Sequence, residues 1–246
     1  MKKRLIPATL AAVGVIVLAA VGAPASTSPP PSKLAPIHGH YAPKIDATNF
    51  VRTVDNPYLP YKPGMRIHFT GVSGKTPQTD EEVVLHQTKK VLGVTATVVR
   101  DTVSEHGRAI ERTFDWYAQD KQGNVWYVGE LSLDRHHGKF VKASDSWEAG
   151  VNGAKAGIIM PAHPKTGDAY RQEYYPGHAL DEARVLRLNG TASVPAGRFT
   201  RVLVTHEFSP IDGETEQKFY AAGVGEVSEH VVKGPHERWN LVRITH

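Results

Sequence analysis

From residue 49 to the C-terminus, stretches mixing β-branched and aromatic residues with polar ones recur, each closed by a turn signal. Residues 94–103 are almost entirely Val and Thr, which stiffens the side chains and favours an extended chain over a helix. Residues 66–72, 82–86 and 94–104 read as strands. So do 110–120 and 124–130, on either side of a hairpin turn at Lys121-Gln122-Gly123. The pattern continues at 169–175, 183–188, 199–208, 216–221, 226–232 and 239–245, punctuated by Asn189-Gly190, Asp212-Gly213 and Lys233-Gly234-Pro235. Helical periodicity is scarce. Only 178–187 places Leu180, Ala183, Arg184 and Arg187 on one helical face, and a strand suits it equally. The pattern predicts an all-β, mainly antiparallel fold with little helix, its sheet curved into a half-barrel or open barrel.

The first residues break this pattern. Lys2, Lys3 and Arg4 precede an apolar run over 10–21, and Ala23-Pro24-Ala25 supplies a small-x-small site. Together these predict a cleavable secretory signal peptide over residues 1–25 and a secreted protein without a stable membrane anchor. The alternative is an uncut anchor, counted from Leu5, although Pro7 interrupts that longer run. Residues 26–48 are rich in Pro and Ser and predict an extended, mobile linker, leaving 49–246 as a single β-rich domain.

Charge and cysteine usage narrow the function classes. Without Lys2, Lys3 and Arg4 the formal charge falls from +4 to +1, and the remaining basic residues alternate with acids and aromatics rather than forming a stripe. No nucleic-acid partner is expected. The chain has no cysteine, which excludes disulfides, a thiolate metal site, a thiol nucleophile and a lipid-bearing N-terminal cysteine.

Several segments resemble those of a group of uncharacterised secreted bacterial proteins, the first of them its opening. They are Asn56-Pro57-Tyr58-Leu59-Pro60 with Lys62-Pro63-Gly64, Asp115-Trp116-Tyr117-Ala118-Gln119-Asp120, Gly123-Asn124-Val125-Trp126-Tyr127 and Gly157-Ile158-Ile159-Met160-Pro161. Val194-Pro195-Ala196-Gly197-Arg198-Phe199 and Tyr220-Ala221-Ala222-Gly223-Val224-Gly225 are similar to the C-terminal half of TapB-like proteins. The resemblance spans about residues 49–246 and implies the curved antiparallel half-barrel of LolA-type lipoprotein carriers. It implies no activity, because fold alone does not carry one.

The hairpin around Gln122-Gly123 is where chemistry is best placed. With a two-residue loop, Asp115 faces Glu130 across the strands. One face then carries Phe114, Trp116, Ala118, Val125 and Tyr127; the other carries Asp115, Tyr117, Gln119, Trp126, Val128 and Glu130. The second face has the composition of a polar ligand pocket. Facing carboxylates repel unless a cation, a proton or a basic side chain intervenes. Such a pair could serve acid–base catalysis or hold a hard cation, and a solvated outer face is the plainer alternative. On a second polar strand, Arg171, Glu173 and Tyr175 share a side, suited to neutralising and walling that site or to forming a rim.

The histidines point to no metal. His136 and His137 are adjacent and face opposite ways, and His38 and His40 lack a nearby third ligand. No cofactor is expected, and the G-x-S-x-G, H-E-x-x-H and phosphate-loop signatures are absent. The leading expectation is a secreted, non-enzymatic binding protein. It would hold a small amphipathic molecule or glycan on the concave face of its sheet, through Tyr117, Gln119, Trp126, Arg171, Glu173 and Tyr175. The alternative is a carboxylate-dependent hydrolase or lyase of an extracellular polysaccharide, with Asp115 and Glu130 as the acid–base pair.

Overall fold

A computed structural model describes residues 29–246; residues 1–25, expected from the sequence to be a signal peptide, lie outside them. Among the described residues, fifteen strands make one antiparallel sheet. They are β1 (Arg66–Ser73), β2 (Thr76–Val91), β3 (Val94–Glu105), β4 (Arg108–Gln119), β5 (Val125–His136), β6 (Lys139–Lys142), β7 (Trp147–Glu148) and β8 (Lys155–Met160), then β9 (Ala169–Arg171), β10 (Glu173–Tyr174), β11 (Glu182–Val194), β12 (Gly197–Phe208), β13 (Thr215–Ala221), β14 (Gly225–Lys233) and β15 (Arg238–Thr245). The ladder runs β10-β8-β5-β4-β3-β2-β1-β15-β14-β13-β12-β11-β9 and does not close. Its two edge strands, β9 and β10, are nevertheless consecutive in the chain, joined only by Gln172. The curve therefore ends at a covalent seam. Gly157 of β8 sits against it so closely that a Cβ there would lie 2.3 Å from the Gln172 carbonyl oxygen.

Most turn signals act as expected. At the β4–β5 hairpin, Asp120 Oδ1 accepts from the amides of Gln122 and Asn124, and Gly123 takes a positive φ of 96°. Asn189-Gly190 is the exception, lying inside β11 rather than at a turn. Gly190 is needed there because a Cβ would meet Val204 at 2.7 Å, and the reversal comes later, between Val194 and Gly197. The ambiguous 178–187 stretch contributes no helix; β11 begins at Glu182.

The Pro/Ser-rich segment is packed where it is described, and is not a free linker. Pro31–Leu34 forms one helical turn, and Ala35 and Tyr41 are buried. The Ala35 carbonyl accepts from the Arg171 amide at the β9 edge, while the Tyr41 hydroxyl donates to the Ala156 carbonyl of β8. The segment thus covers the seam. Satisfying exposed edge groups in this way is what an open sheet requires.

A second loop, Asn56-Pro57-Tyr58-Leu59-Pro60, caps one end of the curve. Asn56 Nδ2 donates to the Gly123 and Pro161 carbonyls, and the Gly223 amide donates to the Pro57 carbonyl. These contacts join the β4–β5 hairpin to the β13–β14 hairpin.

Candidate functional site

The concave side of the sheet encloses a cavity of about 170 Å³. Strands β2 to β5 wall it on one side and β12 to β14 on the other; the seam residues Gln172 and Glu173 and the cap residues Leu59 and Tyr61 complete it. Among the described residues, ten of its lining side chains are Asp or Glu, and Lys218 is the one Lys or Arg. A surface so one-sided in charge concentrates cations.

Asp115 and Glu130 are paired across β4 and β5, as the hairpin argument expects. The route differs. The loop holds three residues rather than two, and Val128 adds one residue to β5, so the two changes cancel at this pair. Between the loop and this bulge the faces are exchanged relative to expectation: Tyr117 pairs with Tyr127, and Ala118 with Trp126. Gly129 makes the bulge possible. Its φ is 144°, and a Cβ would lie 2.6 Å from the Trp147 carbonyl oxygen.

The exchange brings Tyr127 into the site. Its ring stacks on Tyr117 at 4.9 Å, and Tyr117 lies 5.3 Å from Tyr61. Its hydroxyl is 2.6 Å from Asp115 Oδ1 and 2.7 Å from Glu130 Oε2. A hydroxyl carries one proton, so it can donate to only one of the two carboxyls. The other contact is a hydrogen bond only if that carboxyl is protonated and donates to the tyrosine. The electrostatics agree, because burial and then the Asp115 charge push the Glu130 pKa up to about 8. Burial also raises the Tyr127 pKa well above its ordinary value, so the hydroxyl stays neutral. At neutral pH the pair holds a proton.

At the seam, burial and the neighbouring Asp181 hold Glu173 well above the ordinary carboxylate range. Across the cavity the same problem has another solution. Lys218 Nζ lies 3.4 Å from Glu207, 3.2 Å from Glu216 and 3.6 Å from Glu229. All three carboxylates are at least 95% buried. Burial alone would lower the Lys218 pKa, but the three acids together hold it well above its ordinary value. Gln172 Nε2 and the Thr205 hydroxyl donate to Glu207, completing the cluster. Among the described residues, the donor set close enough for a metal is Asp80, Glu82 and Asp101. One carboxylate oxygen from each lies within 4.8 Å of the others, an all-oxygen set of the kind hard cations take.

Of the side chains expected in the site, Asp115, Tyr117, Glu130 and Glu173 line the cavity. The others do not. Gln119 holds the cap, accepting from the amides of Asp55 and Asn56. Trp126 is on the opposite face, where its Nε1 donates to Asp120 and its ring meets Phe50 edge-on at 6.4 Å. Arg171 is turned toward the N-terminal segment, donating to the Pro36 and Ile37 carbonyls and to Glu182. Tyr175 stacks on His178 at 4.2 Å and borders a neighbouring groove. The sequence reading missed Tyr127 because the bulge was invisible to strict alternation; the glycine at 129 was the available signal. It missed Lys218 although Glu216, Lys218 and Tyr220 follow the two-residue period of a strand face.

No family model and no curated protein matches the chain. Among solved structures it is similar to a candidate exported protein with a YmcC-like fold from Bacteroides fragilis, with 15% identity and a TM-score of 0.41 over 77% of this chain and 99% of that one. It is also similar to a candidate lipoprotein from Parabacteroides distasonis, with 9% identity and a TM-score of 0.42 over 76% of this chain and 98% of that one. Neither bears the TapB-like or LolA-type name.

Proposed function

We propose that the chain is an exported binding protein whose concave cavity takes a small organic cation, an amine-bearing amphipathic molecule or amino sugar. The observation that carries this reading is the excess of carboxyl groups over basic side chains in a cavity that also presents Tyr61, Tyr117, Tyr127 and Tyr220. Carboxylates neutralise an ammonium, and tyrosine faces attract cations while packing against an alkyl chain or a sugar ring. Lys218 is the internal precedent, a side-chain ammonium held by Glu207 and Glu229 of the cavity and by Glu216 behind them.

Thermal unfolding of the mature chain with spermidine, chitosan oligosaccharide and dodecyltrimethylammonium tests it, with cellohexaose and dodecyl sulfate as uncharged and anionic counterparts. Stabilisation by a cationic probe and not by its counterpart is the expected result. Equal shifts, or none with any cationic probe, reject the reading.

A second reading is favoured by the proton held at Asp115 and Glu130. One protonated and one ionised carboxyl is the requirement for acid–base hydrolysis or elimination on a polysaccharide. Bridging by one hydroxyl keeps the carboxyls within two hydrogen-bond lengths, closer to the roughly 5–5.5 Å of retaining glycosidases than to the wider inverting spacing. Tyr127 occupies the space between them, however, so a substrate must displace its hydroxyl. Asp115→Asn and Glu130→Gln should each abolish glycan turnover in a folded protein; retained turnover removes those roles.

A further inference from the structure

The alternation that lines the concave face with acids sends basic neighbours to the convex face. Arg100 precedes Asp101, and Arg112 follows Glu111; in both cases the acid lines the cavity while the arginine borders a convex groove of about 800 Å³. Arg243 and His68 line the same groove, with the hydroxyls of Thr70, Thr102 and Ser104. The contributing strands β15, β1, β2, β3 and β4 are adjacent in the sheet. At about 4.8 Å per strand, the basic row extends roughly 19 Å.

Two acids border this groove. Asp80 turns its carboxyl to the other face, where it clusters with Glu82 and Asp101. Glu81 stays, with Oε1 3.2 Å from Arg66 Nη1 and 3.5 Å from Arg100 Nη2, and with Oε2 3.8 Å from His68 Nδ1. One carboxylate therefore serves two guanidiniums, with Arg112 and Arg243 beyond it. Arg112 is held over the Phe140 ring at 4.6 Å. The field at His68 is net positive: burial first and Arg243 next lower its pKa, against the opposing pull of Glu81.

We propose that this convex groove is a second binding site, for the phosphate or sulfate groups of an anionic glycan. Guanidiniums recognise tetrahedral oxyanions through paired N–H donors, and the flanking hydroxyls add further donors. The length of the row suits repeated anionic groups better than one ion. Among its described lining side chains there is no exposed Phe, Tyr or Trp, since Phe69 is buried, so the groove favours an oxyanion-bearing polymer over stacked bases, and the oligonucleotide arm of the test distinguishes the two.

The His68 imidazole is the reporter. The mature chain is titrated at fixed ionic strength with heparin, inorganic phosphate and a single-stranded oligonucleotide while the His68 NMR resonance and pKa are followed. Heparin should raise the His68 pKa by offsetting the arginine field. Arg100→Gln together with Arg243→Gln should weaken heparin binding by about tenfold or more. Arg243 is exposed, so Arg243→Gln alone provides a folded variant in which the same direction is expected. A shift with heparin alone assigns the polymer, and a shift with both heparin and phosphate assigns the oxyanion itself. No shift with either, an unchanged response in the variants, or tighter binding of the oligonucleotide overturns the proposal.

Discussion

The two walls of the cavity bury the same chemical liability and resolve it differently. On the β4–β5 wall, Asp115 and Glu130 share a proton through Tyr127. On the β12–β14 wall, Glu207, Glu216 and Glu229 surround the Lys218 ammonium, and burial pushes the Glu216 pKa up to about 8, so a proton there is supplemented by a tethered cation. A proton can be exchanged for another cation, whereas an ammonium tethered to β13 cannot leave. Under the proposed cation-binding reading, an incoming cation would take the β4–β5 carboxyls, because the β12–β14 wall already holds the Lys218 ammonium.

Lys218→Met is expected to have the largest effect. It leaves buried carboxylates facing one another without their counter-charge, and breaking buried ionic contacts in this way costs on the order of 3–5 kcal/mol. Urea denaturation measures it. Glu229→Gln in the same chain should recover part of the loss by removing one of the carboxyl groups that face Lys218. A loss no greater than that of Tyr127→Phe would mean that the two walls do not differ.

The next effect is a dependence on pH. Burial pushes the pKa of both Glu130 and Glu216 up to about 8, from 4.5 for the free group. The folded protein therefore binds more protons than the unfolded chain between these values. Stability is greatest below about 4.5 for these two groups and falls as pH rises toward 8. At its steepest the slope is about 1.4 kcal/mol per pH unit for each group. Glu130→Gln and Glu216→Gln should each flatten the profile measured by unfolding across that range. A cationic ligand on the β4–β5 wall should flatten it as Glu130→Gln does, since it replaces the same proton.

Tyr127→Phe sharpens the proton-sharing wall specifically. It removes the bridging hydroxyl and leaves two buried carboxyls to each other, for about 1–3 kcal/mol. The loss should shrink in acid and when combined with Glu130→Gln. A pH-independent loss would point to ring packing instead.

How much of this was readable in the chain follows from period two. Alternation with turn chemistry reaches the all-β antiparallel fold and even the Asp115–Glu130 pair, but the pair is right because a longer loop and a one-residue bulge cancel. Where they do not cancel, between Tyr117 and Val128, the reading exchanges Trp126 for Tyr127. Alternation also hides a global property. Arg100-Asp101 and Glu111-Arg112 look like mixed charge along the chain, yet on strands they are segregated to opposite faces, so the absence of a basic stripe in sequence does not mean its absence on the surface. Lys218, Glu207 and Glu229 meet only through sheet order, which local pattern does not encode. The packed N-terminal segment was missed for the same reason, since its partners Arg171 and Ala156 are distant in sequence.

The smallest effect tests the boundary of the site itself. Trp126 is the aromatic that alternation assigned to the cavity and the bulge removed from it. Trp126→Phe loses the Nε1 bond to Asp120 but keeps a ring against Phe50, and should cost about 1–2 kcal/mol. Its effect on affinity for a cationic probe that stabilises the native chain should be negligible, whereas Tyr117→Leu, on the cavity face, should weaken that probe severalfold. Calorimetric titration of the two variants separates the faces. If Trp126→Phe weakened the probe as much as Tyr117→Leu did, the ligand would be bound on the side covered by the N-terminal segment, and the difference between the walls would have nothing to do with recognition.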